Sequence, residues 1–140
     1  MERRDARLLL VDEEPSSRVA THHALRALGC RLIDEAGDAP RAVQLLAEQD
    51  YDLIISGWAM QTIDAAELLK LIRHTPRLAT IPVVIAARVT PSVVAEAACA
   101  GVSAFWPRPF CRQALEELVQ IFIGGPAVLE PRHQVRPLLQ

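Results

Sequence analysis

Three stretches, RLLLV (7–11), DLIIS (52–56) and IPVVIAA (81–87), are almost continuous in apolar residues, and each gives way to a longer amphipathic stretch. A strand with one wet face alternates apolar and polar residues, so runs without alternation point to strands buried on both faces. Such strands require helices on both sides of the sheet. With RLIDE (31–35) and SAFWP (103–107) as two more strands, the chain reads as five βα units in a doubly wound α/β domain.

The intervening stretches carry helix signals. Ser16 or Ser17 is expected to cap the first helix, which stops near Gly29. The second is expected from Pro40 to Gln49, with Val43, Leu46 and Ala47 on one face. In the third, DAAELLKLIRH, Ala65, Leu68, Leu69 and Ile72 recur at helical spacing. The fourth starts after Thr90-Pro91 and stops at Gly101. The fifth runs from Arg112 to Ile123 and repeats the apolar spacing with Leu115, Leu118, Val119 and Phe122.

This division leaves residues 1–6 as a leader, 7–123 as the domain and 124–140 as a C-terminal extension whose three prolines exclude a long helix. At 140 residues the chain is long enough to bury roughly 68–70% of its unfolded surface. Its 15 basic and 17 acidic residues are mixed along the sequence, which argues against a nucleic-acid partner. No run approaches a membrane span or the apolar core of a signal peptide, so a cytoplasmic location is expected. Cys30, Cys99 and Cys111 are odd in number and far apart, which suggests free thiols rather than a disulfide or zinc framework. His22 and His23, beside Arg18 and Arg26, are read as a solvated helix face.

In an open doubly wound sheet, ligands sit beyond the carboxyl ends of the strands. That rule selects Asp12-Glu13-Glu14, Gly57, Ala87 and Arg108. Here an acidic pair could hold a hard cation, or could be no more than a solvated turn.

The segments LLLVDEEPSSR, YDLIISGWAMQTIDAAELLKLIR, LATIPVVIAAR and AGVSAFWPRPF resemble, in order and spacing, the receiver domain of bacterial response regulators, closest to the single-domain chemotaxis type. The resemblance spans Arg7 to Phe122. It implies a flavodoxin-like sheet in the order 2-1-3-4-5, and a phosphoryl group taken from a histidine kinase onto an aspartate at the end of the third strand. Gly57 stands where that aspartate is expected. Asp12 and Glu13 match the acidic pair that holds Mg²⁺. Ala87, or Ala86 in the other register, matches the hydroxyl residue after the fourth strand. Arg108, before Pro109, matches the lysine of the family's Lys-Pro pair. Phe105 matches the aromatic switch position, and Gln61 replaces the proline that follows the loop methionine.

A glycine offers no nucleophile for an aspartyl phosphate. Ser56 should point to the opposite face, Asp52 lies roughly 16 Å back along the strand, and Asp64 suits a helix cap. The expectation is therefore a degenerate pseudo-receiver with no catalytic residue, no cofactor and no metal beyond what the residual carboxylates Asp12 and Glu13 attract. Arg108 is expected to pair with Asp12 or Glu13 and fill the space at Gly57. Ala87 cannot bond a phosphoryl oxygen, and Phe105 should be buried in one conformation.

The implied role is a non-enzymatic, phosphorylation-independent module that binds a histidine kinase, another regulator or a downstream protein. A homodimer through the fourth helix, fifth strand and fifth helix is a further expectation. On that output face Trp106 either anchors an interface from the edge strand or packs under the fifth helix. Trp58 is read as a lid at the rim. The alternative role is a cyclic-dinucleotide effector that grips phosphates with Arg132 and Arg136 of the extension.

Overall fold

The computed structural model describes residues 1–58, 60 and 64–124. Five parallel strands, β1 (Arg7–Val11), β2 (Leu32–Ala36), β3 (Leu53–Gly57), β4 (Val83–Ala87) and β5 (Ala104–Pro107), form one sheet in the order β2-β1-β3-β4-β5. Between and after them run α1 (Pro15–Ala27), α2 (Ala39–Glu48), α3 (Ala65–His74), α4 (Pro91–Ala100) and α5 (Arg112–Phe122). This is a doubly wound parallel sheet in the expected order 2-1-3-4-5.

Strand side chains alternate between two apolar layers. Leu9, Ile54, Ile85 and Phe105 face α2, α3 and α4, whereas Leu8, Leu10, Ile55, Val84 and Trp106 face α1 and α5. The central strands β1, β3 and β4 are buried throughout most of their length, which explains their unbroken apolar sequences. Edge strand β2 keeps Leu32 exposed and Ile33, Asp34 and Glu35 partly exposed. That exposure blurs its pattern.

Several helix expectations need correction. Glu14 caps α1, not Ser16 or Ser17: its side chain accepts the Ser16 N–H at 3.0 Å and the Ser16 hydroxyl at 2.6 Å. Pro15 then occupies the first turn, where its missing N–H costs nothing. These two bonds hold the Glu14 carboxyl below its usual pKa. Helix α2 is capped by Asp38 and buries Ala42, Leu45 and Leu46, while Ala47 faces solvent. The α3 and α4 expectations hold, with Asp64 capping α3 and Gly101 ending α4 at φ 101°. Along α5, Leu115, Leu118 and Val119 are buried, and Phe122 is half-buried.

The leader is not detached. Residues Arg3–Asp5 make one 3-10 turn, Ala6 is buried, and Arg3 is only 6% exposed.

At the opposite end of the sheet from the rim, the Tyr51 hydroxyl donates to Asp34 at 2.6 Å and the ring lies in the α2–α4 layer. Burial first, and then the Asp34 hydrogen bond, raise the Tyr51 pKa well above its ordinary value of 10.0. A raised folded-state pKa favours the neutral phenol. The stability it contributes is complete below the unfolded pKa and lost as pH rises beyond it. Tyr51 is the only tyrosine. In an alkaline titration, phenolate absorbance should therefore stay absent near pH 10 and emerge together with unfolding.

Candidate functional site

Parallel register brings four strand ends to one rim. Val11 lies opposite Ser56, Gly57 opposite Ala86, and Ala87 opposite Pro107. The Asp12 N–H donates to the Ala36 carbonyl at 3.0 Å and the Arg108 N–H to the Ala87 carbonyl at 2.9 Å, so both loops leave the sheet in fixed positions. A small cavity opens between them, lined among others by Asp12, Arg18, Thr21, Gly57, Ala86 and Arg108.

Asp12 Oδ1 accepts the Glu14 N–H at 2.9 Å, and Glu13 follows it half-buried. Gly57 does not have the positive φ that would demand glycine. A Cβ built there meets nothing nearer than Asp12 Oδ1 and the Val11 carbonyl, both at 3.8 Å. Ala86, not Ala87, lines the cavity. Ala87 is buried on the other face, in the same layer as Phe105, which is 5% exposed.

Arg108 departs in part from expectation. Its Nη2 is 3.8 Å from Asp12 Oδ2, a long ion pair, and donates instead to the Ser17 hydroxyl at 3.0 Å. The guanidinium stacks over the Trp106 ring, 5.2 Å from its centre. The space at Gly57 is therefore not filled by Arg108: an aromatic face holds the cation to one side.

Trp106 is not an exposed anchor. It is 0% exposed, packs among Leu115, Leu118 and Val119 of α5, and donates its indole N–H to the Cys111 carbonyl at 2.9 Å. The exposed aromatic at this end is Phe110, at 43%, edge-on to Trp106 with centroids 5.0 Å apart. Trp58 is half-buried against the α2–α4 layer. Arg132 and Arg136 lie outside the described residues.

Sequence reading missed a charged network behind the rim. Arg18 donates from Nη1 to the Asp12 carbonyl at 2.7 Å and from Nε to Glu35 at 2.9 Å. His22 lies 2.6 Å from the other Glu35 oxygen and is half-buried, whereas His23 and Arg26 are exposed as expected. The available signal was the i, i+4 spacing of Arg18 and His22 beside an acidic edge strand. It could not name Glu35 as the partner, because that pairing depends on the crossing of α1 over β2.

Comparison with known proteins follows the same outline. The profile of the response regulator receiver domain matches residues 8–120. Chemotaxis protein CheY-3 of Vibrio cholerae is 32% identical over 115 residues, covering 81% of this chain and 88% of its own. Chemotaxis protein CheY of Pseudomonas aeruginosa is 30% identical over 115 residues, covering 81% and 93%. Among solved structures, chemotaxis response regulator CheY4 of Vibrio cholerae superposes with a TM-score of 0.78 at 24% identity, covering 84% of this chain and 98% of that one. The receiver domain of a signal transduction histidine kinase from Syntrophus aciditrophicus gives 0.79 at 25%, covering 90% and 96%.

Proposed function

This chain belongs to the response regulator receiver domain family, and from that membership we propose that it is a pseudo-receiver, a module that signals by docking without accepting a phosphoryl group. Receiver domains work with protein partners such as histidine kinases in bacterial signalling. Here the partner would read a surface whose shape is independent of phosphorylation.

One observation carries the reading: the residue at the end of β3, between Asp12 and Arg108, is a glycine. An acyl phosphate forms only on a carboxylate, and position 57 has none; the nearest carboxylate, Asp12, accepts the Glu14 N–H and faces the Arg108 guanidinium. The Ser56 hydroxyl donates to the Gly57 carbonyl at 2.8 Å and is buried. Asp52, at the far end of β3, accepts the Arg7 N–H at 2.9 Å, and Asp64 accepts the Glu67 N–H at 2.9 Å as the α3 cap. Buried Phe105, packed in one layer with Ala87, further supports a domain held in one conformation.

The donor set also does not suit the family's Mg²⁺. Asp12 has one oxygen engaged by a backbone N–H and the other facing a guanidinium, and position 57 adds none. Among the described residues no group of three His, Cys, Asp or Glu side chains is arranged to hold a metal ion. No helix among them is long and apolar enough to cross a membrane.

The test is incubation with acetyl phosphate and Mg²⁺ followed by intact mass measurement. The wild-type chain should show no phosphoryl adduct, and an adduct at substantial stoichiometry would overturn the proposal. Gly57→Asp provides the contrast, because its Cβ enters without strain. A second carboxylate beside Asp12 should make the variant bind Mg²⁺. Its unfolding free energy should rise by about 1.4 kcal/mol at roughly ten times the Kd, while the wild type stays unmoved.

A further inference from the structure

Arg3 is the one arginine in the buried class among the described residues, and no carboxylate lies against it. Its Nε donates to the Gly124 carbonyl at 3.0 Å, Nη1 to the Leu28 carbonyl at 2.8 Å, and Nη2 to Gln120 Oε1 at 3.1 Å. These acceptors sit on the last turn of α5 and the end of α1, elements brought together only by the tertiary fold. A buried guanidinium forfeits its hydration, so its donors must be matched by fixed acceptors. Here three carbonyl-type oxygens meet it in one place.

The geometry points to a strap: we propose that residues 2–6 fasten the end of α5 at Gly124 against the end of α1. Two details support a closed and specific contact. Gly29, at φ 99°, would place a Cβ 3.7 Å from the Arg3 side chain, so the strap lies directly on the α1 terminus. Cys30, 1% exposed, directly follows the Gly29 on which the Arg3 side chain lies. The last α5 amides, Ile123 and Gly124, bond to the Val119 carbonyl at 2.8 and 3.1 Å, and the Arg3 contact with the Gly124 carbonyl pins this turn from outside. Opening the strap therefore frees the α5 terminus and uncovers Cys30 while the sheet stays intact. This device stands apart from the rim and does not rest on the pseudo-receiver reading.

The experiment uses the full chain in two assays. In a Cys99→Ser/Cys111→Ser background, Cys30 is titrated with Ellman's reagent. In the same protein, amide exchange is followed residue by residue. Arg3→Ala should speed Cys30 labelling and exchange at Ile123 and Gly124 by at least about tenfold, with Ile54 and Val84 unchanged. Unchanged rates, or one uniform acceleration including Ile54 and Val84, would overturn the strap. Should Arg3→Ala fail to fold, Arg3→Lys and Gln120→Ala decide. Each removes part of the contact and should give smaller accelerations at the same three sites; no acceleration confined to those sites rejects the proposal.

Discussion

Replacing Trp106 with alanine should lower the unfolding free energy by about 3–5 kcal/mol and the melting temperature by on the order of 10–20 °C. The indole is the largest fully buried side chain, and its removal empties the layer beneath α5. It also frees the Cys111 carbonyl from its donor and leaves Arg108 without the ring it covers. Trp106→Phe, which keeps most of the volume, should recover more than half of the loss. Paired thermal melts of the two variants check this. A loss below about 1 kcal/mol for alanine would mean that the ring does not hold α5 to the sheet.

The second large effect is expected at Arg73. From α3 it donates to the Gly101 carbonyl at 2.8 Å, to the Ile81 and Ala79 carbonyls at 2.6 and 3.2 Å, and to the Ser103 hydroxyl at 3.1 Å. One side chain thus ties the ends of α3 and α4 to the loops that enter β4 and β5. Burial lowers its pKa from the ordinary arginine value, because lost hydration penalises the charged form. Arg73→Met keeps the stem but strips every donor, and should cost about 2–4 kcal/mol, since buried acceptors without partners are costly. Urea melts should show a shifted midpoint with unchanged slope. The tight fit extends to Gly101, where a Cβ would come within 2.8 Å of the Arg73 stem.

The strands and the rim were legible because both follow from short-range rules. Unbroken apolar runs located β1, β3 and β4, and the crevice rule located Asp12, Gly57 and Arg108. Partners were not legible. Trp106 and Phe105 are adjacent, and only packing decides that the first lies under α5 while the second faces α4. Arg108 looked like a simple partner for a carboxylate. Its preference for Ser17 and the indole depends on how β5 lies against α1. Arg3 and Arg73 escaped notice because an arginine bound to carbonyls leaves no complementary acid in the sequence to find.

The sheet also acts as a partition. Its two apolar layers share backbone but no side chains, so a change such as Leu69→Ala on one side leaves the packing of Leu118 on the other untouched. Energetic effects of substitutions on opposite faces should sum with little coupling. The chain can accordingly drift on its α2–α4 side without any compensating change on its α1–α5 side. One half of the molecule can thus acquire a new recognition habit while the other preserves the architecture.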